Sequence, residues 1–99
     1  MLQAQIFIDK DELIGMQPLS DFIMEFLFKH EIAGATSFKG FAGFGKDHKM
    51  KKPNEIFSFD SVPLVITFID EKELVTKVIN ELRIHFKGGL IITKEVKKW

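Results

Sequence analysis

The stretch "GFAGFGKDHKMKK", residues 40–52, carries the residue types most able to do chemistry in this chain. Gly40, four residues, then Gly45 and Lys46 fit the phosphate-loop pattern up to its last position, where Asp47 replaces Ser or Thr. That hydroxyl would bind magnesium, and a helix N-terminus after it would hold phosphate. Here "DHKMKKPNEIF" follows, without a helical apolar period and with an early Pro53. Asp47 would also set a negative charge beside the phosphates. An NTPase loop is excluded. The glycines still need a reason, and two readings stand. Gly40, Gly43 and Gly45 free the backbone for positive φ and for close approach, so consecutive N–H groups could form an anion nest. Lys39, Lys46, Lys49, Lys51, Lys52 and His48 would surround that nest with positive charge, which suits a phosphate-bearing ligand. Alternatively, the glycines accommodate a bulge and the lysines keep a loop soluble.

Other constellations are weaker. His30, His48 and His85 have no metal-ligand spacing to one another. His30 and His85 fall near expected helix ends, where capping or surface roles fit. His48 is the candidate ligand if a metal binds across subunits. Met24 and Phe28, opposite Phe22 and Phe26, are a candidate partner patch. Asp9, Asp11 and Glu12 cluster in a turn and read as solvated. No nucleophile has a plausible base, so no enzyme mechanism has named residues behind it.

The elements that must position these residues follow from apolar periodicity. Leu2, Ala4, Ile6 and Ile8 alternate with polar neighbours, which predicts a strand over 2–8. After a polar turn through Gly15, Pro18 opens an amphipathic helix over 18–31 carrying Leu19, Phe22, Ile23, Phe26 and Leu27. Gly34 marks its stop. Residues 35–44 read as a Gly-broken strand with a bulge or close backbone approach. Residues 45–61 read as a basic loop, and "VPLVITFI", 62–69, as a strand covered on both faces. Asp70 and Glu73 suggest a capping box. Leu74, Val75, Val78, Ile79 and Leu82 then form a second helix ending before Gly88-Gly89, and 90–96 is the last strand. The order is βαββαβ: an α+β, ferredoxin-like fold with a four-stranded antiparallel sheet and both helices on one face.

Ninety-nine residues form one domain, 1–99, and 45 per cent apolar content with eleven Phe is ample for a core. Fourteen acidic side chains balance fourteen basic ones, unlike a dedicated nucleic-acid binder. The absence of Cys removes disulfides and thiolate metal sites. No apolar run approaches a membrane span and no signal peptide is visible, so the expected compartment is the cytoplasm. The strand at 62–69 places Val65 and Ile69 on one face and Leu64, Ile66 and Phe68 on the other. Phe7, Phe41 and Ile91 are candidates to add to the face lacking helices. An apolar second face calls for another sheet, hence a homo-oligomer.

With these elements in order, "IFIDKDE", "QPLSDFIMEFLFKHEIAGATSFKGFAGFG" and "VPLVITFID" carry a resemblance across nearly the whole chain. They resemble the PII-like proteins grouped as domain of unknown function 190, and more distantly the PII signalling proteins. The resemblance implies a homotrimer with inward-facing sheets, binding adenine nucleotides between subunits. It implies a loop between the second and third strands that docks on a transporter or enzyme. Gly34 and Thr36 match the opening of that family's second strand, and Gly43, Phe44, Gly45 and Lys46 its end. Lys87, Gly88 and Gly89 match its nucleotide-binding turn. The loop residues His48, Lys49, Lys51 and Lys52 would then face the partner. Four departures stand out. The Gly34–Gly43 stretch is longer by one residue and the loop is shorter. Leu90 replaces a basic residue after the turn, and no Tyr is available for modification. Trimers of copper tolerance share the architecture, so a metal-binding trimer using His48 is the rival reading. A ligand-free oligomeric scaffold is the third.

Overall fold

The structure, a computed structural model, describes residues 1–44 and 62–99. Elements β1 (Leu2–Asp9), β2 (Leu13–Ile14), β3 (Gln17–Pro18), α1 (Leu19–Lys29), β4 (Ala35–Lys39), β5 (Pro63–Asp70), α2 (Lys72–His85) and β6 (Leu90–Glu95) follow in that order. Four strands form an antiparallel sheet, β4-β5-β1-β6, as expected for a ferredoxin-like fold. The alternation in β1 buries Leu2, Ala4, Ile6 and Ile8. Opposite them in the ladder, Leu64, Ile66 and Phe68 of β5 point the same way. Leu19, Ile23 and Leu27 of α1, with Val75, Val78 and Leu82 of α2, close the core over these two central strands. Fully burying side chains of this size contributes roughly 1.5–3 kcal/mol each. One face of the sheet therefore holds both helices and most of the stability.

Local details depart from the expected pattern. The segment read as a plain turn through Gly15 is a small hairpin, β2 with β3, whose Gly15 takes φ 60°. Pro18 ends β3 and precedes the helix rather than lying within its first turn. Helix α1 stops at Lys29, well before Gly34. The amide of Ile32 donates to the Leu27 carbonyl and that of Glu31 to the Phe28 carbonyl, with Glu31 at φ 62°. This is a Schellman closure using Glu31 where glycine is usual. Both Leu27 and Ile32 lie in the core, and that apolar contact offsets roughly 1–2 kcal/mol of left-handed strain. The capping box is not formed either. Glu71 is the N-cap of α2 and makes no side-chain cap bond. The Asp70 carboxylate instead accepts from the amides of Ala33 and Glu71, tying the end of β5 to the α1–β4 connection.

Candidate functional site

The first glycine segment follows β4. The strand ends at Lys39, short of the expected residue 44, because the chain turns tightly against Pro63. The Gly40 amide donates to the Pro63 carbonyl at 2.6 Å. A Cβ on Gly40 would stand 2.7 Å from Pro63 Cγ, and one on Gly43 would stand 3.3 Å away. Neither glycine adopts a positive φ. The close approach expected of this segment is thus real, but its partner is the neighbouring strand. Positive φ, the other expectation, is not met at Gly40 or Gly43. Gly34 has nothing within 4 Å of where its Cβ would be. Thr36 sits in the ladder opposite Thr67, and Phe44 is exposed. Gly45, Lys46, His48, Lys49, Lys51 and Lys52 lie outside the described residues.

The second segment, Lys87–Gly89, joins α2 to β6. Gly89 takes φ 69°, and a Cβ there would meet the Phe7 carbonyl oxygen at 2.7 Å. Gly88 lies beside the Glu12 carboxylate, whose Oε2 stands 3.0 Å from the position of an added Cβ. Arg83, in the last turn of α2, donates from Nη1 to the Gly88 carbonyl at 2.5 Å and, at a longer 3.5 Å, from Nη2 to the Gly89 carbonyl. Its guanidinium carbon also stands 5.2 Å from the centre of the Phe86 ring. The Lys87 side chain folds back so that Nζ donates to the Arg83 carbonyl at 2.6 Å. Sequence reasoning selected Lys87, Gly88 and Gly89 but missed Arg83. The available signal was a basic residue in the last helical turn ahead of a glycine pair.

Both segments lie at one end of the sheet. Phe38 pairs with Val65, Val65 with Phe7, and Phe7 with Leu90, so this row crosses all four strands. Gly40 continues one edge just past the row and Gly89 the other. Three strand spacings, about 14 Å, separate those edges. The row itself is apolar throughout and faces away from the helices, with Phe38 and Leu90 each 57 % exposed. Ile69 and Ile92 add further apolar surface there. The next row, Thr36, Thr67, Gln5 and Ile92, is mostly polar, and Gln3 Nε2 donates to Thr67 Oγ1. The expected contribution of Ile91 is corrected by register: paired with Ile6, it packs against the helix-side core. Its neighbours Leu90 and Ile92 are the ones that face out. Phe41 lies beyond β4 and is exposed.

Residues 1–98 match the model of a family described as Uncharacterized ACR, COG1993, the domain of unknown function 190. The chain belongs to this family. Two UPF0166 proteins of Aquifex aeolicus (strain VF5) are similar to it. One is 29% identical over 93 residues, covering 94% of this chain and 88% of the relative. The other is 34% identical over 82 residues, covering 82% and 83%. Among solved structures, the chain resembles CPII, a nitrogen regulatory PII-like protein from Thiomonas intermedia K12, bound to ADP, AMP and bicarbonate. That likeness has TM-score 0.62 and 17% identity, over 94% of this chain and 82% of the other. A second likeness is to a putative PII-like signaling protein from Thermus thermophilus, with TM-score 0.63 and 13% identity, over 94% and 81%. The domain of unknown function 190 thus has, in this chain, the PII-like fold.

Two of the remaining candidate residues, His30 and His85, sit at the helix ends. His30 is the C-cap of α1. Its Nδ1 lies 2.9 Å from the Phe26 carbonyl and its Nε2 2.8 Å from Glu81 Oε2, which links the end of α1 to α2. The ring stacks on Phe26 at 4.0 Å, and His85 meets Phe22 and Phe26 edge-on. The expected Met24–Phe28 patch divides: Met24 packs against the core, while Phe28 is 83 % exposed. Among the described residues, no three His, Asp or Glu side chains are grouped to hold a metal. No described helix is long and apolar enough to cross a membrane. A shallow concavity along α2 is lined only by that helix's own side chains, Lys72 to Glu81.

Proposed function

We propose that this protein is a PII-like regulator, a binding module rather than a catalyst. It assembles as a homotrimer through the open sheet face. An adenine nucleotide binds in clefts between subunits, at the sheet end where the two glycine segments lie. The observation that carries the reading is their shared placement. Gly40–Phe44 and Lys87–Gly89 flank the same end of the sheet on opposite edges, so a subunit boundary along either edge runs beside one of them. The likeness to CPII, crystallised with ADP, AMP and bicarbonate, supports adenine nucleotides as the ligand class to test. The apolar row Phe38–Val65–Phe7–Leu90 supports assembly, because its exposure in a monomer would leave a contiguous hydrophobic strip in water. Gly43 to Lys46 and Lys87 to Gly89 are the proposed effector residues at that end, and Thr36 and Gly34 extend the proposed set along the β4 edge toward its other end. The loop at 46–61, with His48, Lys49, Lys51 and Lys52, is the proposed contact with a transporter or enzyme partner in the cytoplasm.

The test is isothermal titration of the purified protein with ATP, ADP, AMP and bicarbonate, paired with light scattering for mass. A trimer that binds one of the nucleotides, and loses that binding in Lys46→Ala, supports the reading. Val65→Asp, in the centre of the open face, should yield monomers. A nucleotide-blind trimer would leave a scaffold and overturn the effector assignment. A wild-type monomer would overturn the assembly.

A further inference from the structure

We propose that Arg83 is the positioning residue of the Gly88–Gly89 turn: it aims the Gly89 amide outward as a donor to an oxyanion. The inference rests on the nucleotide reading for the identity of that anion, and on the chain's own geometry for the rest. All described peptides are trans, and in a trans peptide the carbonyl and the following N–H point in opposite directions. Arg83 Nη1 holds the Gly88 carbonyl. The Gly89 N–H, on the same peptide, therefore points away from the guanidinium. Neighbouring donors are free as well. The amides of Lys87, Gly88 and Gly89 donate to no other group among the described residues.

This peptide needs an external hold. It lies between two glycines, which tolerate either sign of φ, so its plane can turn over at little conformational cost. The turned-over plane would present a carbonyl oxygen where the donor now stands, and that oxygen would repel phosphate. Arg83 selects between the two states, and it is itself held. Phe86 lies against the guanidinium, and Lys87 Nζ caps the Arg83 carbonyl. A cation on the carbonyl end also polarises the peptide and strengthens its N–H as a donor. The ligand class is an oxyanion with freely accessible oxygens, such as the phosphoryl group of a nucleotide. The Glu12 carboxylate lies beside Gly88, and its charge opposes anion binding.

The experiment compares the full-length wild type, Arg83→Ala and Arg83→Lys, each checked by light scattering and thermal unfolding. ADP and inorganic pyrophosphate are titrated calorimetrically. Residual dipolar couplings report the orientation of the Gly88 and Gly89 N–H vectors without ligand. Arg83→Ala should weaken ADP and pyrophosphate by about tenfold or more, the worth of one well-aimed donor. Its Gly89 coupling should average toward zero. Arg83→Lys, which can still reach one carbonyl, should recover part of both. An unchanged Gly89 coupling in Arg83→Ala overturns the positioning role whether or not nucleotide binds. Full ADP affinity in that variant overturns its link to binding. A wild type with the expected coupling that binds neither probe overturns the oxyanion assignment and the nucleotide reading together.

Discussion

Both glycine segments lie at one end of the sheet, yet glycine does a different job in each. At Gly40 and Gly43 φ lies outside the left-handed region, and the nearest constraint is the Pro63 ring on the next strand, with the Pro63 carbonyl oxygen 3.2 Å from a Gly40 Cβ. At Gly89 the constraint is double: a left-handed φ and a backbone carbonyl where a Cβ would stand. A side chain can be replaced, but a backbone atom cannot. The first requirement is therefore partly negotiable, and the second is not.

That difference can be broken or sharpened by substitution. Gly89→Ala should have the largest effect, destabilising by at least about 2 kcal/mol from the left-handed strain and the collision with Phe7. Urea unfolding measures it, and no substitution of a neighbouring side chain should restore the loss. Gly40→Ala should cost about 1–3 kcal/mol through overpacking against Pro63. In a double-mutant cycle, Pro63→Ala should recover part of that cost, since it removes the nearest clash, with ring Cγ, and leaves the Pro63 carbonyl oxygen 3.2 Å away. Equal recovery at both glycines would erase the distinction. Glu12→Gln removes the carboxylate next to the second segment and should tighten ADP about two- to threefold, read by calorimetry and diminishing with added salt. Gly34→Ala should have the smallest effect on stability, within about 0.5 kcal/mol, because open space surrounds its Cβ position. Lost nucleotide binding in that variant would then report directly on the site.

Much of the fold was legible. Alternation in β1 named its core face, and the helical periods named Leu19, Ile23, Leu27, Val75, Val78 and Leu82, because burial on one side imposes a period on the chain. Helix ends were less legible. Gly34 looked like the stop of α1, but Glu31 accepts a left-handed angle once Ile32 can pack beside Leu27 in the core. Asp70 looked like a capping residue, but its carboxylate has a tertiary partner in the Ala33 amide. The site was half legible. Glycines announce close approach without saying to what, and nothing local linked Arg83 to the carbonyls of a turn five residues on.

By itself, the sequence determined the order of the four sheet strands and two helices and the core face of most of them. Those follow from patterns a few residues long. Only tertiary structure decided which apolar residues share a face across strands. Ile91 went to the core and Leu90 to the open face because register, set by pairing with β1, assigns alternate residues to opposite sides. The same pairing set both glycine segments at one end of the sheet, with Pro63 against one and Phe7 against the other. Proximity between residues distant in the chain is a property of the packed sheet, and no local pattern encodes it.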